Sequence, residues 1–191
     1  SVIGYDIMNE PFPGSSAVQA QGMMFAKGAE LLAAVAPSLA DSVEDLMLKW
    51  LTPDGRSTIL ALLRDMEIYT QVIDVTEPLY AEFEKTALMA MYSCVAQAIS
   101  AVDPVSALFL ETTMGSNMGV YSAIEPVILQ RERDPAQVYA AHGYDLVVDT
   151  SDIADASPER VELIFRRHGE TAQRLGMPML IGEWGAYGRN P

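Results

Sequence analysis

Four short apolar runs, each ending in polar residues, constrain this chain more than any other feature. Residues 2–9 lead to Asn9-Glu10-Pro11, 105–110 to Glu111, 136–142 end at His142, and 178–183 end at Glu183. Short, nearly unbroken apolar runs fit strands covered on both faces. Between them lie helical patterns, so the order is strand, helices, strand, helix, strand, helix, strand. Such alternation predicts parallel strands joined by helical crossovers.

The helical stretches carry start and stop signals. Ser15 and Ser16 can cap a helix over about 17–35, and Pro37 stops it. A second helix covers about 41–51. Thr52-Pro53-Asp54-Gly55-Arg56 reads as a turn, with a third helical stretch after Ser57. A fourth runs from about 77 to 101, with Pro78 in its first turn. Residues 113–119 read as a loop rich in Gly and Met, and 120–130 lean towards helix. Ser157 caps a clear helix over about 158–175, with Pro158 first, Glu159 in the first turn and Gly176 at the stop.

Polar residues gathered at the C-terminal ends of parallel strands mark where (β/α) barrels place their sites. An open doubly wound sheet would bring a glycine-rich phosphate loop, and no G-x-G-x-x-G or G-x-x-x-x-G-K-[ST] occurs. Four strands do not close an eight-stranded barrel, which takes about 250 residues. The fold expected is therefore α/β, part of a (β/α)8 TIM barrel. It forms a single partial catalytic domain over 1–191 with a long helical insertion at about 15–101. Unpaired edges would call for the other part of a barrel, or for self-association.

Composition excludes some partners. The net charge of −14 argues against nucleic acid, which needs clustered Lys and Arg. No run of about twenty apolar residues suggests an integral membrane segment. No basic stretch followed by an apolar one opens the chain as a signal peptide would. A lone cysteine, Cys94, forbids an intrachain disulfide and reads as a small buried hydrophobe. No H-E-x-x-H or other ligand spacing is present, so neither metal nor cofactor is expected.

The first and last runs each deliver one glutamate, Glu10 and Glu183, at a strand end. Two carboxylates presented this way suit double displacement at a sugar, one giving a proton to the leaving oxygen and one attacking. Asn9-Glu10-Pro11, then His142-x-Tyr144, then Glu183-Trp184-Gly185, resemble glycoside hydrolase family five. That resemblance implies a (β/α)8 barrel whose strands four to seven correspond to this chain. It leaves the family's earlier arginine and histidine, and its later tryptophan, without counterparts here. The stretches 4–11, 139–150 and 182–186 are similar to the endoglycoceramidase branch, which cuts between oligosaccharide and ceramide.

The resemblance implies roles. Glu10 would be general acid and then base, and Glu183 the nucleophile. Asn9 would bind the 2-OH of the reacting sugar, while His142 and Tyr144 orient carboxylates and substrate. Trp184 stacks on a sugar face or simply packs. The function implied is a retaining β-glycosidase acting on a carbohydrate or glycolipid. An endo-β-1,4-glucanase or a non-catalytic sugar-binding fragment are the alternatives. A secreted or extracellular location is implied, with the cytoplasm left open. Glu111 reads either as a substrate contact or as part of a structural ion pair, and Tyr139 as a sugar contact or a strand lining. Asp145 and Asp149 are weaker candidates. His168 reads as a surface residue of its helix. Met23 and Met24 fit helix core beside Phe25, whereas Met114 and Met118 suit a lipid-handling groove.

Overall fold

Parallel pairing unites the four apolar runs. The computed structural model describes residues 2–35, 42–148 and 150–185. Strand β1 is Gly4–Asp6, β2 Ala107–Leu110, β5 Gln137–Gly143 and β6 Met179–Trp184, in the sheet order β1-β2-β5-β6. Every neighbouring pair is parallel. A small antiparallel hairpin, β3 (Ile128–Leu129) with β4 (Glu132–Arg133), stands apart. This is part of a (β/α)8 barrel.

β1 and β2 are shorter than their apolar runs, because pairing rather than composition ends them, whereas β5 and β6 match theirs in length and lie one residue further along. The segment 120–130, which leaned towards helix, is irregular and closes in that hairpin. Gln130 and Arg131 both take positive φ (52° and 71°), the requirement of a two-residue turn between twisted strands.

Between β1 and β2 come α1 (Ser15–Val35), α2 (Val43–Trp50), α3 (Pro53–Leu62), α4 (Met66–Asp74), α5 (Glu77–Phe83) and α6 (Met89–Ser100). Pro37 lies outside the described residues. The expected turn at 52–56 is instead the start of α3. Thr52 caps it by accepting from Gly55 N–H, and Pro53 occupies the first helical turn. Asp65 breaks the third stretch in two by capping α4 through the N–H groups of Glu67 and Ile68. A π-helical segment, Glu84–Leu88, joins α5 to α6 within the predicted fourth helix.

The main core lies between sheet and helices. It holds Leu88, Tyr92 and Ala96 from the α6 side, Leu108 and Leu110 from β2, Tyr139 and Ala141 from β5. Ala172 and Leu175 of α8 (Pro158–Leu175) close it. Each fully buried large side chain contributes roughly 1.5–3 kcal/mol. The α6 stripe at 88, 92 and 96 turns Cys94 to the opposite side, so it is exposed rather than buried as expected. Most of β6, and residues 2 and 3 just ahead of β1, are exposed, against the expectation of strands covered on both faces. Two smaller cores bind the inserted helices together and to α8, through Tyr69, Ile73 and Tyr80 with Leu163, and through Leu32, Leu46 and Ile59.

Candidate active site

The site grows from the strand ends. Beyond β1 the chain reaches Glu10, which takes φ 42°, a left-handed conformation costly for a side chain with a Cβ. Its N–H is held by Glu111 Oε2 at 2.6 Å, just past the end of β2. Its carboxylate Oε1 accepts from Asn117 Nδ2 at 2.7 Å and lies 3.1 Å from His142 Nδ1. Asn117 belongs to α7 (Met114–Asn117), a short helix in the segment expected to be loop.

A β-bulge brings in the second carboxylate. Pairing between β5 and β6 runs Ala141↔Ile181 and then His142↔Glu183, so Gly182 is the extra residue. Only glycine fits there, since a Cβ would stand 2.9 Å from His142 Nε2. Without the slip, His142 would face residue 182. With it, Glu183 Oε2 comes to 3.6 Å from His142 Nδ1 and accepts from Tyr144 O–H at 2.8 Å.

His142 is buried and sits among three carboxylates, from Glu10 (3.1 Å), Glu111 (3.4 Å) and Glu183 (3.6 Å). Carboxylate oxygens of Glu10 and Glu183, with a ring nitrogen of His142, all lie within 4.8 Å of one another. A cation there would have to compete with the hydrogen bonds that Asn117 and Tyr144 already make to these oxygens.

His168 is 2 % exposed, not a surface residue. Its Nε2 lies 2.8 Å from the His142 carbonyl, which can only accept, so Nε2 carries the proton. Nδ1 then accepts from Tyr139 O–H at 2.7 Å. Burial pushes the ring down to about 4, against the pull of the His142 carbonyl. Tyr139 is fully buried, so it lines the strand and cannot touch a sugar.

Glu111 is also 2 % exposed, which places it beneath the site and not in contact with substrate. Burial raises it to about 8, opposed by the Glu10 N–H and reinforced by the Asp6 and Glu10 carboxylates. Asp145 is structural too. It forms a forked pair with the buried Arg160 at 2.8 and 2.9 Å, and also accepts from Ser157 N–H, fixing the chain just after Tyr144. Asp149 lies outside the described residues. Asn9 and Trp184 are exposed.

Asn117, Gly182 and Arg160 were not singled out from sequence. Asn117 had one available signal: it follows a strand end within a Gly-containing segment, where barrels carry site residues. The buried Glu84 holds that segment in place, accepting from Thr113 N and Oγ1, Ser122 Oγ and Ala123 N. Met118 and Met24 both line an apolar cavity of about 250 Å³ with Phe25, Trp50, Tyr69 and Leu146. Met24 therefore faces a cavity as much as a core.

A curled parallel sheet with two facing carboxylates at its C-terminal strand ends defines a protein of the (β/α)-barrel class. The chain belongs to the cellulase family, glycosyl hydrolase family 5, whose family model matches residues 1–191. No curated protein matches it. Among solved structures it is similar to endo-glycoceramidase II from Rhodococcus sp., at 19 % identity, over 75 % of this chain and 40 % of that one, with a TM-score of 0.49. The same enzyme in a cellobiose-like imidazole complex gives the same values. Its lactosyl-enzyme intermediate gives 19 % identity, 74 % and 39 % coverage, and a TM-score of 0.47. The chain thus spans about 40 % of the length of these structures.

Proposed function

We propose that this chain carries the catalytic pair of a retaining β-glycosidase, with Glu10 as acid/base and Glu183 as nucleophile. The observation that carries the reading is that one oxygen of each carboxylate lies within 4.8 Å of the other and of a His142 ring nitrogen, so the two groups face each other across one small site. Retaining enzymes keep their two carboxyl groups about 5–5.5 Å apart, whereas inverting ones leave room for a water at roughly 6.5–9.5 Å.

The hydrogen bonds assign atoms to steps. Asn117 and His142 both engage Glu10 Oε1, so the proton for the leaving oxygen sits on Oε2. Tyr144 engages Glu183 Oε2, which leaves Oε1 to attack the anomeric carbon. Bond formation by Glu183 expels the aglycone oxygen, which takes the proton from Glu10. Glu10, now ionised, removes a proton from water as that water attacks the anomeric carbon and releases Glu183. Asn9 is the group for the sugar 2-OH, and exposed Trp184 offers a face for stacking.

A glycolipid such as a glycosylceramide is the substrate we favour. The stretch 139–150 supports it, as does the apolar cavity between the inserted helices and Met118. The family's cellulase description favours a second reading, endo-β-1,4-glucanase action.

The test uses an aryl β-glycoside with a good leaving group. Glu183→Gln should abolish turnover. Glu10→Gln should spare the glycosylation step, which then needs little acid help, and stall the second step. Near-wild-type turnover by Glu183→Gln would sink the nucleophile assignment. Turnover of cello-oligomers without any glycosylceramide hydrolysis would favour the glucanase reading.

A further inference from the structure

Three carboxylates around one imidazole pose a proton-counting problem. His142 Nδ1 faces oxygens of Glu10 and Glu183, and carboxylate oxygens only accept. Nδ1 must therefore carry a hydrogen. In the neutral ring Nε2 then bears a lone pair, and it points at Glu111 Oε1, 3.4 Å away. That oxygen is buried and has no hydrogen-bond partner among the described residues. Two lone pairs facing each other in a buried space are costly, so a proton belongs between them.

We propose that Glu111 is a positioning residue, a neutral carboxyl beneath the site whose O–H donates to His142 Nε2 and so aims Nδ1–H at Glu10 and Glu183. Its other oxygen, Oε2, holds the N–H of Glu10 and supports that residue's left-handed backbone. One buried side chain thus sets both the imidazole tautomer and the acid/base backbone. A rise of the Glu111 carboxyl to about 8, caused chiefly by burial, agrees with a proton held at neutral pH. The groups facing it are Asp6 from β1, Glu10 beyond β1, Tyr92 from α6 through the Glu111 carbonyl, and His142 from β5. Asp6 is the competing acceptor for the Glu111 proton.

The inference rests on the proposed site for its consequence, but its test needs no turnover. The chain has two histidines, so the imidazole nitrogens of ¹⁵N-labelled protein are readily assigned, with His168→Gln marking the other ring. At pH 7 the His142 ring should be neutral, with Nδ1 protonated and Nε2 bare but hydrogen-bonded. Raising the pH should shift the Nε2 resonance with a midpoint near 8. Glu111→Gln supplies an amide N–H in place of the O–H. It should keep the tautomer and lose the titration, whereas Glu111→Leu should lose the fixed tautomer. Asp6→Asn should leave the tautomer in place. An imidazolium at His142 at pH 7, an Nε2–H tautomer, or a titration persisting in Glu111→Gln would each overturn the proposal. So would loss of the tautomer in Asp6→Asn. Loss of hydrolysis with these signatures intact would count against the glycosidase reading alone.

Discussion

Acid pH should unfold this chain partly through His168. Its Nδ1 can accept from Tyr139 O–H only while the ring is neutral, and at 2 % exposure a charged ring would be stripped of water; the bond from Nε2 to the His142 carbonyl survives protonation and opposes this only in part. The folded ring titrates at about 4, against 6.5 in the unfolded chain. The sign follows from the proton count. Below 6.5 the unfolded chain takes up a proton that the folded one refuses, so its contribution is present above 6.5. It is lost as pH falls through 6.5 to 4. At 1.36 kcal/mol per tenfold change, the whole interval is worth about 3 kcal/mol. That is a large share of a total stability of roughly 5–15 kcal/mol. With a urea dependence of about 2 kcal/mol per molar, the unfolding midpoint should fall by ~1.5 M from this residue alone. The carboxylates of so acidic a chain add their own pH dependence, so the assay compares wild type with His168→Gln. Urea unfolding followed by circular dichroism at pH 7, 5.5 and 4.5 gives two curves of midpoint against pH. The wild-type curve should fall more steeply, and the two should converge at low pH. Parallel curves would refute the reasoning, because they would mean that His168 takes up its proton without unfolding.

Other outcomes follow from the same contacts. Arg160→Met strands the buried Asp145 carboxylate and should cost about 3–5 kcal/mol in urea unfolding. Pairing it with Asp145→Leu should recover part of that loss, and full additivity would show that the two are not coupled. Tyr144→Phe removes one hydrogen bond to Glu183 and should lower kcat on an aryl glycoside by roughly 10–100-fold, from about 1.5–3 kcal/mol. Cys94 should react with a maleimide in the native protein about as fast as after denaturation, because it is exposed on α6. Protection of the native thiol would contradict its placement.

Helix α8 was legible in the sequence because local chemistry decides it. Ser157, Pro158 and Gly176 act through the nearest backbone, and the helix spans Pro158–Leu175 as predicted, with Gly176 at φ 60°. The same stretch shows where local reading stops. His168 lies four residues after Ile164 and four before Ala172, both buried, so helical spacing already placed it inward. Its polarity argued the other way, and only the Tyr139 hydroxyl and the His142 carbonyl on β5 make burial tolerable. The Thr52–Arg56 stretch failed differently: a turn signal and a helix cap use the same residues. Glu111 was recognised as a strand-end carboxyl. Whether it met substrate or lay beneath depended on Glu10 folding back over it.

The sequence by itself determined the alternation of strands and helices, the family, and which polar residues stand at strand ends. These depend on apolar period, caps and spacing, which are written within a few residues of each other. Only the tertiary structure decided how those ends meet. Glu183 faces His142 because β6 slips by one residue at Gly182, a register that no property of β6 alone specifies. The grip of Asn117 on Glu10, and of Glu111 on both Glu10 and His142, joins segments about a hundred residues apart or near neighbours on adjoining strands. Such contacts come from sheet order and burial, which a linear chain does not display.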